Sequence, residues 1–159
     1  MYKHSRIKKL SLGAGLAAAI GLGGVIYLPS AQVVADDKIT VYKSPTCGCC
    51  GDWIDHLKAN GFEPEVHNSE QMNSIKQEAG LHPHLASCHT AFIGDYVIEG
   101  HVPAQDIRQL ISRANDAKGL AVPGMPAGSP GMEMGGRQDH YQVLEFNEAG
   151  QTRVVAEYP

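Results

Sequence analysis

Three of the chain's four cysteines fall within one tetrapeptide, Cys47-Gly48-Cys49-Cys50, and no other feature restricts the possible folds so strongly. A disulfide needs a Cα separation and a torsion that neighbours such as Cys49 and Cys50 rarely supply. Thiols this close also staple little chain, because a short loop removes little entropy from the unfolded state. The cluster therefore does not read as structural cross-linking. It reads as a metal site or a redox site, and either needs a rigid frame around it.

The flanks supply that frame. Lys38 to Lys43 (KITVYK) is β-rich and alternating, which predicts a strand. Ser44-Pro45-Thr46 is a turn. From Asp52 to Asn60 the apolar residues Trp53, Ile54 and Leu57 share one helical face, and Gly61 stops the helix. A strand running into a cysteine motif at a helix start is the thioredoxin-like arrangement. Further on, Pro64 to His67 predicts a strand, and Met72, Ile75 and Ala79 a second helix closed by Gly80. His82-Pro83-His84 reads as a loop. Thr90 to Ile93 and Tyr96 to Glu99 flank Gly94-Asp95, a hairpin signal. Ala104 to Ala114 predicts a third helix with the stripe Ile107, Leu110, Ile111. Gly119 to Gly136 has no period and reads as one long loop rich in Gly, Pro and Met. Gln142 to Phe146 and Thr152 to Glu157 predict a terminal hairpin. The expected fold is α/β: a thioredoxin-like central sheet with flanking helices, then a Met/Gly/Pro loop and a C-terminal β-hairpin.

The N-terminus sets the expected compartment. Lys3, His4, Arg6, Lys8 and Lys9 precede an uncharged apolar stretch from Leu10 to Leu28. Val33 and Ala35 suit the −3 and −1 positions of a cleavage site, so residues 1–35 are expected to be a signal peptide and residues 36–159 the domain. The stretch is just long enough to anchor in a bilayer instead. Its glycines and the small residues after it favour cleavage, which leaves no membrane segment. The short, directly basic start points to export into a bacterial periplasm, an oxidising compartment. The net charge is −4 and losing the leader makes the remainder more acidic. There is no basic patch and no aromatic–basic interleaving, so nucleic acid is excluded as a partner.

Cys47 and Cys50 form a Cys-x-x-Cys at a helix mouth, where the helix dipole and the paired thiols favour a thiolate. A thiolate is both the nucleophile and the metal ligand, so this spacing leaves redox and metal binding open. Cys49 favours metal. Dithiol exchange gains nothing from a third thiol, whereas three thiolates on one turn converge on a soft cation. Structural zinc usually draws its ligands from two separated pairs. Copper(I) accepts low coordination and bridging thiolates, so crowded cysteines can hold more than one ion. Cys88 is expected to face the cluster from the start of a strand. No proline precedes that strand directly; Ser87-Cys88-His89-Thr90 stands where thioredoxin-type redox enzymes place a cis-proline. His89 and His101 are the best imidazole ligands among eight histidines. His56 reads as exposed surface. Met125, Met132 and Met134 lie in the long loop and offer soft thioethers.

Four runs in this order resemble the CopG-type copper-resistance family: Tyr42-Lys43-Ser44-Pro45-Thr46-Cys47-Gly48-Cys49-Cys50, Ser87-Cys88-His89-Thr90-Ala91, Val97-Ile98-Glu99-Gly100-His101-Val102-Pro103-Ala104 and Gly119-Leu120-Ala121-Val122-Pro123-Gly124-Met125-Pro126. The resemblance extends from about Lys38 to the C-terminus. It implies a thioredoxin-like fold, a periplasmic location and copper(I) held by Cys47, Cys49, Cys50 and Cys88.

The expected function is periplasmic copper(I) binding in copper resistance, with copper ions and other periplasmic copper-handling proteins as partners. The metal ligands are expected among Cys47, Cys49, Cys50, Cys88, His89, His101 and Met125. Cu(I)/Cu(II) interconversion, with Cys47 and Cys50 as the redox-active pair, is attached to this reading. The alternative is a thiol–disulfide oxidoreductase acting on protein substrates, with Cys47 attacking and Cys50 resolving. A third reading is an interaction module held by zinc or disulfides.

Overall fold

The computed structural model describes residues 37–133 and 135–159. The expected leader and Met134 lie outside the described residues. Seven strands form one sheet: β1 (Lys38–Lys43), β2 (Glu63–Asn68), β3 (His89–Ile93), β4 (Tyr96–Glu99), β5 (Gly119–Ala121), β6 (Tyr141–Phe146) and β7 (Thr152–Tyr158). Their order across the sheet is β2-β1-β3-β4-β5-β6-β7. Among the described residues three α-helices accompany them: α1 (Gly48–Ala59), α2 (Met72–Glu78) and α3 (Ala104–Arg113). This mixed α/β arrangement is compatible with the thioredoxin-like expectation. No helix among the described residues is long and apolar enough to cross a membrane.

Strand polarity decides where the chemistry gathers. β1 is parallel to β2 and antiparallel to β3, with Lys43 opposite His89. The motif that leaves β1 and the Cys88 that enters β3 therefore share one end of the sheet. β4 turns back along β3, with Glu99 opposite Thr90, so His101 leaves at that same end. Three segments distant in sequence converge there because of register alone.

The central strands β3, β4 and β5 are covered on both faces, while the edge strands β2 and β7 are largely exposed. Val97 and Ile98 belong to different buried clusters, as strand alternation requires. One cluster takes Trp53, Ile54 and Leu57 from α1 and Ile107 and Leu110 from α3. The other takes Leu85, Val97, Ala121 and Phe146. Burying each such large side chain stabilises the fold by about 1.5–3 kcal/mol.

One expectation is corrected and one boundary is refined. Gly119–Ala121 is not loop but a strand, parallel to β4 and antiparallel to β6. It joins the terminal hairpin to the main sheet. Three residues opening on glycine carry no readable alternation, and the glycine is there for room: a Cβ on Gly119 would run into the Val97 carbonyl. Second, α1 starts four residues before the apolar stretch that opens at Asp52: it begins at Gly48 with Cys47 as N-cap, which puts Cys49 and Cys50 in its first turn and the motif at the helix start as expected. Glycines and cysteines mask that turn from an apolar count.

Candidate metal centre

Cys47 is the N-cap residue of α1, and its N–H donates to the Ser44 carbonyl at 3.1 Å. Cys50 is fully buried on the helix face that also carries Trp53 and Leu57. Cys47 and Cys50 are joined by a disulfide with a Cα separation of 5.5 Å. Cys49 and Cys88 are free thiols, each half-buried. Cys49 Sγ lies 3.6 Å from Cys47 Sγ. The sulfurs of Cys47, Cys49, Cys50 and Cys88 all lie within 4.8 Å of one another. Reduction of the disulfide is the condition for all four to act as ligands, since a thiolate and not a disulfide sulfur binds metal strongly.

A second group of donors shares Cys88. Its Sγ is 3.1 Å from His101 Nε2 and 3.3 Å from His89 Nδ1. Both imidazoles are fully buried, and the ligand atoms of Cys88, His89 and His101 again fall within 4.8 Å. His101 Nδ1 donates to the Pro130 carbonyl at 2.7 Å, which leaves Nε2 as an acceptor toward the thiol. Burial pushes both imidazoles down, His89 well below the ordinary value, with the His101 and Lys76 charges adding to the effect at His89. Burial pushes the Cys88 thiol up to about 11, against a hydrogen bond from Ser87 that pulls it down. His89 lies against Trp53, ring centroids 4.2 Å apart, and its Nε2 has no hydrogen-bond partner. Neutral imidazoles, thiols and one orphaned buried nitrogen suit a soft metal ion, and copper(I) is within the set such donors select.

Two charged residues that the sequence reading did not single out hold Cys88 in place. Glu99 is completely buried. It accepts from Ser87 N–H at 2.6 Å, Thr90 Oγ1 at 2.7 Å and Lys76 Nζ at 2.5 Å. Lys76 also donates to Thr90 Oγ1 at 2.9 Å. Burial raises the Glu99 pKa although Lys76 opposes it. The available cue was an acid closing an otherwise apolar strand, Tyr96 to Ile98.

His56 is corrected from exposed surface to a structural acceptor: its Nε2 receives the Ala104 N–H at 3.1 Å, at the start of α3. His82 and His84 pair with each other at 5.9 Å between ring centroids, and His67 stacks on Tyr42 at 5.1 Å. Met125 is 52% exposed. Its neighbour Gly124 forms a bridge with Ser87, and Ser87 Oγ donates to the Gly124 carbonyl, so the base of the Met loop is tied to the Cys88 segment. Met132 is half-buried farther along the same loop.

Residues 85–132 match a family described as "Protein of unknown function, DUF411". Two solved structures of copper resistance protein CopG, form 1 and form 2, are each 52% identical to this chain with a TM-score of 0.73. The match covers 77% of this chain and 97% of form 1 or 98% of form 2. No curated protein matches the chain.

Proposed function

The chain belongs to the family of copper resistance protein CopG, and on that premise we propose that it is a periplasmic copper(I)-binding protein of copper resistance. The observation that carries this reading is the convergence of four sulfurs, from α1 and from the start of β3, within 4.8 Å of one another. Cys47, Cys49, Cys50 and Cys88 take the ion in the reduced protein. His89 and His101 extend the donor set through the shared Cys88, and Met125 is the thioether candidate at the loop base. Copper is cargo here, not a resident cofactor. Residues 1–35 act as the export signal, which delivers residues 36–159 to the compartment where copper arrives.

A redox role is part of the same proposal. Two copper(II) ions accept one electron each from Cys47 and Cys50; the two thiols lose two protons and become the disulfide, and two copper(I) ions result. The disulfide at the mouth of α1 supports this step, and it equally supports the second reading, exchange with protein disulfides.

The test is an anaerobic titration of the reduced protein with copper(I) against a competing chelator. Tight binding that is lost in Cys49→Ser supports the metal reading. Unchanged binding in Cys49→Ser overturns the role of the third thiol. Turnover of a protein disulfide at a rate comparable to a thioredoxin, without copper binding, would favour the second reading.

A further inference from the structure

The loop from Pro126 to Met132 makes a contact that its composition does not announce. Pro130 is buried, and its carbonyl accepts the Nδ1 proton of His101 at 2.7 Å. The carbonyl arrives there because the next residue packs backbone against backbone on α1. Gly131 has φ +81°, and a Cβ built on it would lie 2.6 Å from Trp53 N and 2.9 Å from the Cys49 carbonyl. No side chain fits that gap, and the positive φ disfavours one independently. The loop is internally braced. Ser129, fully buried, donates through Oγ to the Pro126 carbonyl at 2.7 Å, and Met132 N–H donates to the Ser129 carbonyl at 2.7 Å.

We propose that Gly131 and the Pro130 carbonyl are positioning elements for the metal centre: the close seat of Gly131 on α1 delivers the carbonyl that keeps the proton on His101 Nδ1, so that Nε2 meets the ion as a bare lone pair. The inference rests on His101 being a ligand. A histidine ligand commonly donates its other ring N–H to a carbonyl or carboxylate, which fixes ring orientation and tautomer, and removing such a partner lowers metal affinity about 10–100-fold. The loop's contribution is then a fixed tautomer rather than a thioether alone. It also places that control on the first turns of the helix that carries Cys49 and Cys50, so the thiol and imidazole halves of the centre are held by one contact.

The test needs no copper for its main readout. Protein labelled with 15N-histidine, reduced and metal-free, is observed by long-range proton–nitrogen correlation at neutral to mildly alkaline pH. The wild type is expected to show His101 as a single Nδ1–H tautomer, with Nε2 unprotonated. In Gly131→Ala the Nδ1–H tautomer is left with only the Cys88 contact at Nε2 to favour it, so a measurable share of the proton moves onto Nε2, and copper(I) affinity falls by about tenfold or more. An Nε2–H tautomer in the wild type overturns the proposal, as does a folded Gly131→Ala protein that keeps the wild-type tautomer. If Gly131→Ala does not fold, the wild-type spectrum decides alone. A wild type with the expected tautomer that fails to bind copper would overturn the metal reading and leave the loop's hold on His101 standing.

Discussion

Cys88 Sγ and His101 Nε2 lie 3.1 Å apart, and the burial of both groups favours a neutral thiol–imidazole pair over a thiolate–imidazolium ion pair. Burial drives the two groups in opposite directions, the thiol up to about 11 and the imidazole down, so neither holds a charge near neutrality. The S–H donates to Nε2. A rise from 9.0 to about 11 leaves about 100-fold less thiolate at pH 7. Greater intrinsic nucleophilicity offsets part of that, leaving alkylation roughly tenfold slower. Peptide-resolved iodoacetamide labelling of the metal-free protein is expected to show this at Cys88. Labelling at or above the rate of a small free thiol would mean an ion pair, and a nucleophilic role for Cys88.

His56 links acidity to stability. Its neutral Nε2 accepts the first N–H of α3, and burial lowers its pKa below 6.5. A base with a lowered folded pKa binds fewer protons folded than unfolded, so stability rises with pH through that window. The contribution is complete above 6.5 and is lost as pH falls toward the lower folded value. His56→Gln keeps an acceptor that does not titrate, and urea unfolding at pH 7.5 and 5.5 is expected to show a shallower pH dependence than the wild type. His56→Ala removes the acceptor and costs about 1 kcal/mol at pH 7.5, as loss of a helix cap does. Equal slopes for wild type and His56→Gln would remove His56 from the pH response.

The buried Lys76–Glu99 pair predicts unequal losses when it is broken from its two sides. Glu99→Ala leaves the Ser87 N–H without its acceptor and a nearly buried ammonium with only Thr90 Oγ1 and no counter-charge, and breaking a buried pair from one side costs about 3–5 kcal/mol. Lys76→Met costs less, because without the ammonium burial raises the Glu99 pKa further, and a Glu99 that takes up a proton keeps its hydrogen bonds from Ser87 and Thr90. Denaturant midpoints of both variants check the order. A larger loss for Lys76→Met would contradict it.

Oxidation state should govern copper stoichiometry. The Cys47–Cys50 disulfide removes two of four sulfurs from the donor set. The oxidised protein is expected to retain at most the weaker site formed by Cys88 with His89 and His101, and to regain full copper(I) binding after reduction. Equilibrium dialysis of both forms, with thiols counted by mass, reads this directly. Equal stoichiometry in the two forms would show that Cys47 and Cys50 are not ligands.

The parts of the molecule that were legible in the sequence are those carried by local pattern. β1 and β4 match their expected bounds, because KITVYK and YVIE carry the strand signal within themselves. The thiols were legible too, since clustered cysteines have few other uses. β5 was not: its three residues are a strand only through β4 and β6 on either side. Glu99 left one cue, an acid closing an apolar strand, but Lys76 and Pro130 left none. Their roles arise from contacts 9 to 29 residues apart, with Thr90 and His101. A backbone carbonyl such as that of Pro130 has no residue type to give it away.

The register of Lys43 against His89 has a consequence for how the centre comes into being. During synthesis the cysteine tetrapeptide emerges well before Cys88, and His101 and Pro130 later still. A chain without β3 and β4 in place offers three neighbouring thiols and nothing to complete them. Closing loops of this length carries an entropic cost that only the assembled sheet repays. An ion held by sulfur from the tetrapeptide and Cys88 and by the His101 imidazole would bind the completed fold more tightly than the nascent chain with its three thiols, and would stabilise the native state to the extent of that difference.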